Sequence, residues 1–198
     1  MKKNIREIIK TLKTIYKEYK DKGMNSIYLW GSITNKDFNP DKSDIDSIAI
    51  CSNKLKLSEE AKIINEIKKL SPKIKDFKLR FVYLDELNGK RRKGNLTKYI
   101  TSEQLLYEMG YWVYVCGIKY SNKDFNLKPN LKNIIRGLQK IIKKRSKNIK
   151  DNKYIEKAVL RLIYYEEQLK GNKFQYSKKD LMKKATGKNK LLVKDILK

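Results

Sequence analysis

Two aspartates separated by one isoleucine, Asp44-Ile45-Asp46, open an apolar run that continues through Ser47-Ile48-Ala49-Ile50. In an extended strand successive side chains point to opposite faces, so Asp44 and Asp46 project together while Ile45 turns inward. Two carboxylates this close repel each other unless a cation sits between them, and their hard oxygens suit magnesium. An earlier apolar run, Tyr28-Leu29-Trp30, ends in Gly31-Ser32, twelve residues before Asp44. A glycine lets the backbone come close to a phosphate. A serine at a helix start offers a hydroxyl and N–H groups where the dipole favours an anion. Together the two segments outline a site for a metal-bound polyphosphate.

The composition narrows the chemistry further. The chain has no histidine, which excludes histidine bases, His-ligated zinc and every Ser-His or Cys-His nucleophile; catalysis must use carboxylates, lysines or a metal. Cys51 and Cys116 fit no metal-ligand spacing and read as reduced thiols. No apolar run reaches membrane-spanning length and the basic N-terminus lacks a signal-type apolar core, so a cytoplasmic chain is expected. The 48 basic against 22 acidic residues give a net charge of +26, a field that draws in polyanions, nucleotides or RNA. Only seven of those 48 are arginines, the residue best suited to bidentate phosphate recognition, so most lysines read as solvated, with an RNA groove as the alternative.

The elements that must hold these residues can be read in order. Ile5, Ile8, Ile9, Leu12, Ile15, Tyr16 and Tyr19 recur at helical spacing, and Gly23 gives a stop. Strands are expected at 27–30 and 44–51, with a short helix beginning at Ser32. Ser58 is the expected N-cap of a helix whose apolar face is Ile63, Ile64, Ile67 and Leu70, ended by Pro72. A third strand follows at about 78–84, with Asp85 and Glu86 opening the next turn. Lys90-Arg91-Arg92-Lys93 reads as a basic loop. A helix over 102–109 stopped by Gly110 leads to a last strand, 111–116, closed by Gly117. The polar stretch 121–130 is the expected linker between a first domain, 1–120, and a helical one, 131–198. In the latter, Leu131, Ile134, Ile135, Leu138, Ile141 and Ile142 form one stripe, and Ile155, Ala158, Val159, Leu162 and Ile163 another. Ser177-Lys178-Lys179-Asp180 reads as a capping box with Leu181 and Ala185 inward.

Gly31-Ser32 followed by Asp44-Ile45-Asp46 resembles the nucleotidyltransferase superfamily of the DNA polymerase β type. The order of the parts, with Leu105 to Gly117 closing the first domain, is similar to the aminoglycoside adenylyltransferases of the streptomycin and spectinomycin type. The resemblance implies an α+β fold: a nucleotidyltransferase-type mixed sheet with flanking helices, then a C-terminal helical bundle. It implies that Gly31 and Ser32 grip a triphosphate, and that Asp44 and Asp46 are catalytic and hold Mg²⁺. Val159-Leu160-Arg161-Leu162-Ile163-Tyr164, then Gly171, then Ser177-Lys178, resembles a bundle motif whose arginine and lysine reach the phosphates. That role falls on Arg161 and Lys178. The spacing is a few residues longer than the pattern, which leaves Lys179 and Lys173 as alternatives to Lys178.

One departure stands out. The family places a third carboxylate in the strand that here ends in Tyr83-Leu84-Asp85-Glu86-Leu87, and counting back puts it at Arg80, or at Lys78 after a two-residue shift. Neither is an acid. Asp76 shares the parity of Arg80 and would substitute if the strand began earlier. The implied activity is transfer of a nucleoside monophosphate, AMP from ATP, to a hydroxyl of a small molecule or RNA. The alternative is a catalytically silent relative that binds nucleotide or RNA.

Overall fold

A computed structural model describes residues 2–35, 37–39, 43–72, 77–90, 100–145 and 152–197. The chain begins with α1 (Lys2–Tyr19), β1 (Met24–Trp30) and a 3₁₀ turn, Gly31–Thr34. Next come β2 (Ile45–Cys51), α2 (Leu57–Leu70), β3 (Phe77–Tyr83) and the single turn α3 (Leu84–Leu87). After α4 (Ser102–Glu108), β4 (Val113–Gly117) completes the strands, and α5 (Leu131–Arg145), α6 (Asn152–Leu169), α7 (Lys178–Lys184) and α8 (Gly187–Ile196) form the helical remainder. No helix of the described residues is long and apolar enough to cross a membrane.

The four strands form a mixed sheet in the order β3-β2-β1-β4. β1 pairs antiparallel with both β2 and β4, and β2 pairs parallel with β3 through the α2 crossover. This is the α+β arrangement expected from the sequence. Strand alternation sorts the side chains into two cores. Ile27, Leu29, Ile45, Ala49, Leu79 and Phe81 pack under α1 and α2, whose Ile8, Leu12, Ile15, Ile63 and Ile67 are fully or almost fully buried. Tyr28, Ile48, Ile50 and Val82 face the other way, onto Leu87, Leu105, Leu106, Met109 and Trp112. Gly117 ends β4 at φ 94°, and a Cβ there would lie 2.3 Å from the Asn25 carbonyl oxygen, so only glycine closes the sheet here.

Several boundaries differ from expectation for identifiable reasons. α2 begins one residue before Ser58: the Lys56 N–H donates to the Glu59 carboxylate at 2.9 Å, and this reach-back fixes the first turn without a serine cap. Leu70, counted in its apolar face, is 51% exposed at the helix end. The last strand runs 113–117, because residues 109–111 form a further 3₁₀ turn. Segment 121–130 is anchored: Phe125 is buried in the second core and the Asn126 N–H donates to Asn88. Asp76 and the stretch 91–94 lie outside the described residues.

The third core belongs to the helices, with Ile134, Leu138, Leu160, Ile163, Tyr164, Tyr165, Leu181, Ala185 and Val193 buried. Ser177 caps α7 by accepting from the Asp180 N–H at 2.9 Å, and Leu181 and Ala185 turn inward as expected. α8 is an element the apolar pattern did not announce. Tyr107 of α4 joins sheet to bundle, donating to Gln168 at 3.1 Å and setting its ring edge-on to Tyr165.

Candidate functional site

Cross-strand register builds the site. Trp30 pairs with Asp46 and Asp46 with Lys78, so three side chains form one row across β1, β2 and β3. Arg80, two residues along β3, projects from the same face as Lys78. Asp44 stands just before β2 and forms an ion pair with the Lys78 ammonium, an interaction left half open to solvent. This row is the floor of a cleft of about 610 Å³ whose opposite wall is α6 and the segment leading into α7.

All six residues expected from the sequence, Gly31, Ser32, Asp44, Asp46, Arg161 and Lys178, line this cleft. Lys173 and Lys179, the two alternatives to Lys178, do not line it. Lys78 and Arg80, the two candidates for the absent acid, both do. A smaller cavity of about 330 Å³ lies between α2 and the start of β3, with no acid among its described lining residues.

The turn after β1 needs its glycine. Gly31 sits at φ 80°, and a Cβ there would lie 3.1 Å from the Asp46 Oδ2. Thr34 closes the turn by donating its hydroxyl to the Gly31 carbonyl at 2.8 Å. Beyond it, hydrogen bonds tie the turn to the helical half. Asn35 Nδ2 donates to the Tyr176 carbonyl at 3.0 Å and Gln175 Nε2 to the Thr34 carbonyl at 2.7 Å. The Lys178 N–H donates to Asp37 at 2.6 Å. The backbone of Lys178 is therefore engaged, leaving its ammonium for the cleft.

Burial raises the Asp46 pKa above the ordinary range, and the Asp44 charge adds to this, against the opposing pull of Lys78, Arg80 and Arg161. At Asp44 burial works in the same direction, but the hydrogen bond and charge of Lys78, with the charge of Lys157 and a backbone hydrogen bond, together outweigh it and the pKa lies below the ordinary value. The pair is thus polarised, one acid stabilised as the anion and the other strained as one. Arg161 lies over the Trp30 ring at 5.3 Å and faces Tyr176 at 6.0 Å. Burial opposes its charge, and Glu108 together with Tyr165, Tyr176 and Tyr154 more than offsets it.

Sequence reading missed Glu108. It accepts from Trp30 Nε1 at 2.9 Å, from Tyr165 Oη at 2.6 Å and from Gln104 Nε2 at 3.0 Å. Its carboxylate fixes the indole on which Arg161 rests. No local signal marks it, since its partners lie on three different elements. Tyr154 and Lys157, two turns and one turn before Arg161 on α6, also line the cleft. Cys51 is buried and Cys116 half-buried, the two form no disulfide, and burial pushes the Cys116 thiol up to about 11.

The chain resembles the crystal structure of spectinomycin adenyltransferase AAD(9) from Enterococcus faecialis with ATP and spectinomycin, at 17% identity and a TM-score of 0.62. The match covers 97% of this chain and 90% of that one, a likeness of fold. No curated protein matches. The model of the nucleotidyltransferase domain matches residues 5–107, just over half the chain, and takes in the Gly31-Ser32 turn, the Asp44–Asp46 pair and β3. The chain therefore belongs to the nucleotidyltransferase domain family.

Proposed function

We propose that the chain binds a nucleoside triphosphate, ATP in the first instance, in the cleft between sheet and bundle and transfers its nucleoside monophosphate to a hydroxyl of a small-molecule acceptor. The observation that carries this reading is the convergence of Gly31, Ser32, Asp44, Asp46, Arg161 and Lys178, drawn from both halves of the chain, on one cavity. The acceptor hydroxyl oxygen attacks the α-phosphorus, the bond to the bridging oxygen breaks, pyrophosphate leaves, and the hydroxyl proton passes to solvent. Gly31 and Ser32 hold the triphosphate, and Arg161 and Lys178 neutralise charge on the departing pyrophosphate. The ATP and spectinomycin of the similar crystal structure support a nucleotide and a small-molecule acceptor.

The donor set fits one Mg²⁺. Asp44 and Asp46 share a face, and among the described residues no group of three acids or thiols gathers into a cage. An ion held by two carboxylates completes its shell with phosphate oxygens and water, so it belongs with the nucleotide. When bound, Mg²⁺ supplies Lewis-acid polarisation of the phosphate under attack.

The acceptor is expected to be neutral or anionic. Among the described residues four acids line the cleft, of which Asp37 is engaged by the α7 backbone, Asp44 by Lys78 and Glu108 by three donors, so these offer little acidic wall to a polycation.

A second reading, a nucleotide-binding relative that performs no transfer, is favoured by one observation: Lys78 and Arg80 line the cleft where the resemblance places the third carboxylate. Calorimetric titration of ATP with and without Mg²⁺, followed by a screen for pyrophosphate release with small-molecule and RNA acceptors, separates the two. Mg²⁺-dependent binding with release supports transfer, and binding without release supports the silent relative. Asp44→Ala and Asp46→Ala should each remove the Mg²⁺-dependent part of ATP binding; unchanged binding in both would overturn the metal assignment.

A further inference from the structure

Asp44 and Asp46 do not wait for a cation from solution, because β3 brings its own. The parallel register sets Lys78 opposite Asp46, and its ammonium pairs with Asp44. Arg80 follows on the same face and lines the same cleft. Two carboxylates thus meet two fixed positive charges, and the cluster is close to neutral before any ligand arrives. We propose that Lys78 is the resident cation of the carboxylate pair, and that it keeps a free divalent ion out of the site.

The inference rests on the reading of Asp44 and Asp46 as the metal's holders. Its physical basis is the repulsion between an ammonium in contact with a carboxylate and a divalent ion seeking the same oxygens. The pair is also built to open. The Lys78 side chain is 49% exposed and that of Asp44 34%, and a bridge so solvated is weak. A lysine on a flexible four-carbon stem can leave the carboxylate once phosphate oxygens offer a better partner. The ligand of this site is therefore a divalent metal–triphosphate complex taken as a unit. Metal and nucleotide each raise the other's affinity by the same factor, as reciprocal coupling demands.

The test is a Mn²⁺ titration of the full chain without nucleotide, followed by the electron paramagnetic resonance signal of the free ion. Lys78→Gln is expected to bind Mn²⁺ about tenfold tighter than the unsubstituted chain or more, because a unit charge in contact with the site has gone. Lys78→Arg keeps the charge and should bind Mn²⁺ as weakly as the unsubstituted chain. Adding Asp44→Asn to Lys78→Gln should cancel the gain. Equal affinity in the unsubstituted chain and Lys78→Gln overturns the proposal. So does a gain in Lys78→Arg as large as in Lys78→Gln, or a gain that survives Asp44→Asn. In a separate arm the titration is repeated with a non-hydrolysable ATP analogue, where the unsubstituted chain should now take up Mn²⁺. Failure of the analogue to bind any variant would overturn the functional reading instead, while the nucleotide-free comparison still decides the role of Lys78.

Discussion

Glu167 is a fully buried carboxylate and Asp46 a half-buried one at the cleft, and they are treated in opposite ways. Glu167, on α6 deep in the helical half, is completely buried and accepts from Lys170 at 2.7 Å, Asn172 at 2.7 Å, Asn189 at 2.9 Å and Thr186 at 3.1 Å. Burial opposes its charge, but these donors outweigh it and hold its pKa at about 2, against an ordinary 4.5. Asp46 receives no hydrogen bond on its carboxylate from the described side chains, and its pKa is raised. One carboxylate ties α6 to the loop before α7 and to α8. The other carries a charge that Lys78, Arg80 and Arg161 offset only in part, and that residual demand marks a binding site better than burial or charge would.

The contrast can be broken at either end. Glu167→Gln should destabilise the chain by about 2–3 kcal/mol, since it removes the charge from several charge-assisted hydrogen bonds and leaves donors facing one another. Urea denaturation measures this, and a loss under about 0.5 kcal/mol would mean that the network is replaceable. Gly31→Ala should cost about 1–2 kcal/mol through the left-handed backbone and the crowding of the Asp46 carboxylate. ATP affinity should fall with it, while the far-ultraviolet circular dichroism stays unchanged. Asp46→Asn should move stability the other way, upward by about 1 kcal/mol or less, because it removes an anion that the fold disfavours. The same substitution should abolish Mg²⁺-dependent nucleotide binding, and a variant that is both less stable and still active would reverse the comparison.

The pH dependence gives the finest distinction. Glu167 binds fewer protons folded than unfolded near pH 4, so its stabilisation is present above about 4.5 and is lost as pH falls towards about 2. Asp46, with its raised pKa, contributes the opposite sign: its burden is relieved as pH falls through that value. Urea midpoints followed from pH 6 to pH 3 should decline less steeply in Glu167→Gln than in the unsubstituted chain, and more steeply in Asp46→Asn.

What the sequence made legible was local. Strand period placed Asp44 and Asp46 on one face, the Gly-Ser pair marked the turn after β1, and Ser177 announced α7, because each depends on residues a few positions apart. What it concealed depends on register and on distant partners. That Lys78 would reach Asp44 follows only once β2 and β3 are known to run parallel with Asp46 opposite Lys78. Glu108 gains its meaning from Trp30 and Tyr165, 78 and 57 residues away. α8 was hidden because its apolar signal is spread around the helix: Val193 is buried while Leu191 and Leu192 are exposed.

The clasp between residues 34–37 and 175–178 spans 141 positions, and that separation sets an order of events during synthesis. The strands all lie within the first 117 residues and can pair while the remainder of the chain is still being made. The cleft cannot. Its far wall includes Gln175, Tyr176 and Lys178, so a nascent chain that has emerged only as far as α6 has a sheet with half a pocket. Ligand binding thereby reports that translation has passed Lys178 and that this segment has folded back onto the turn after β1.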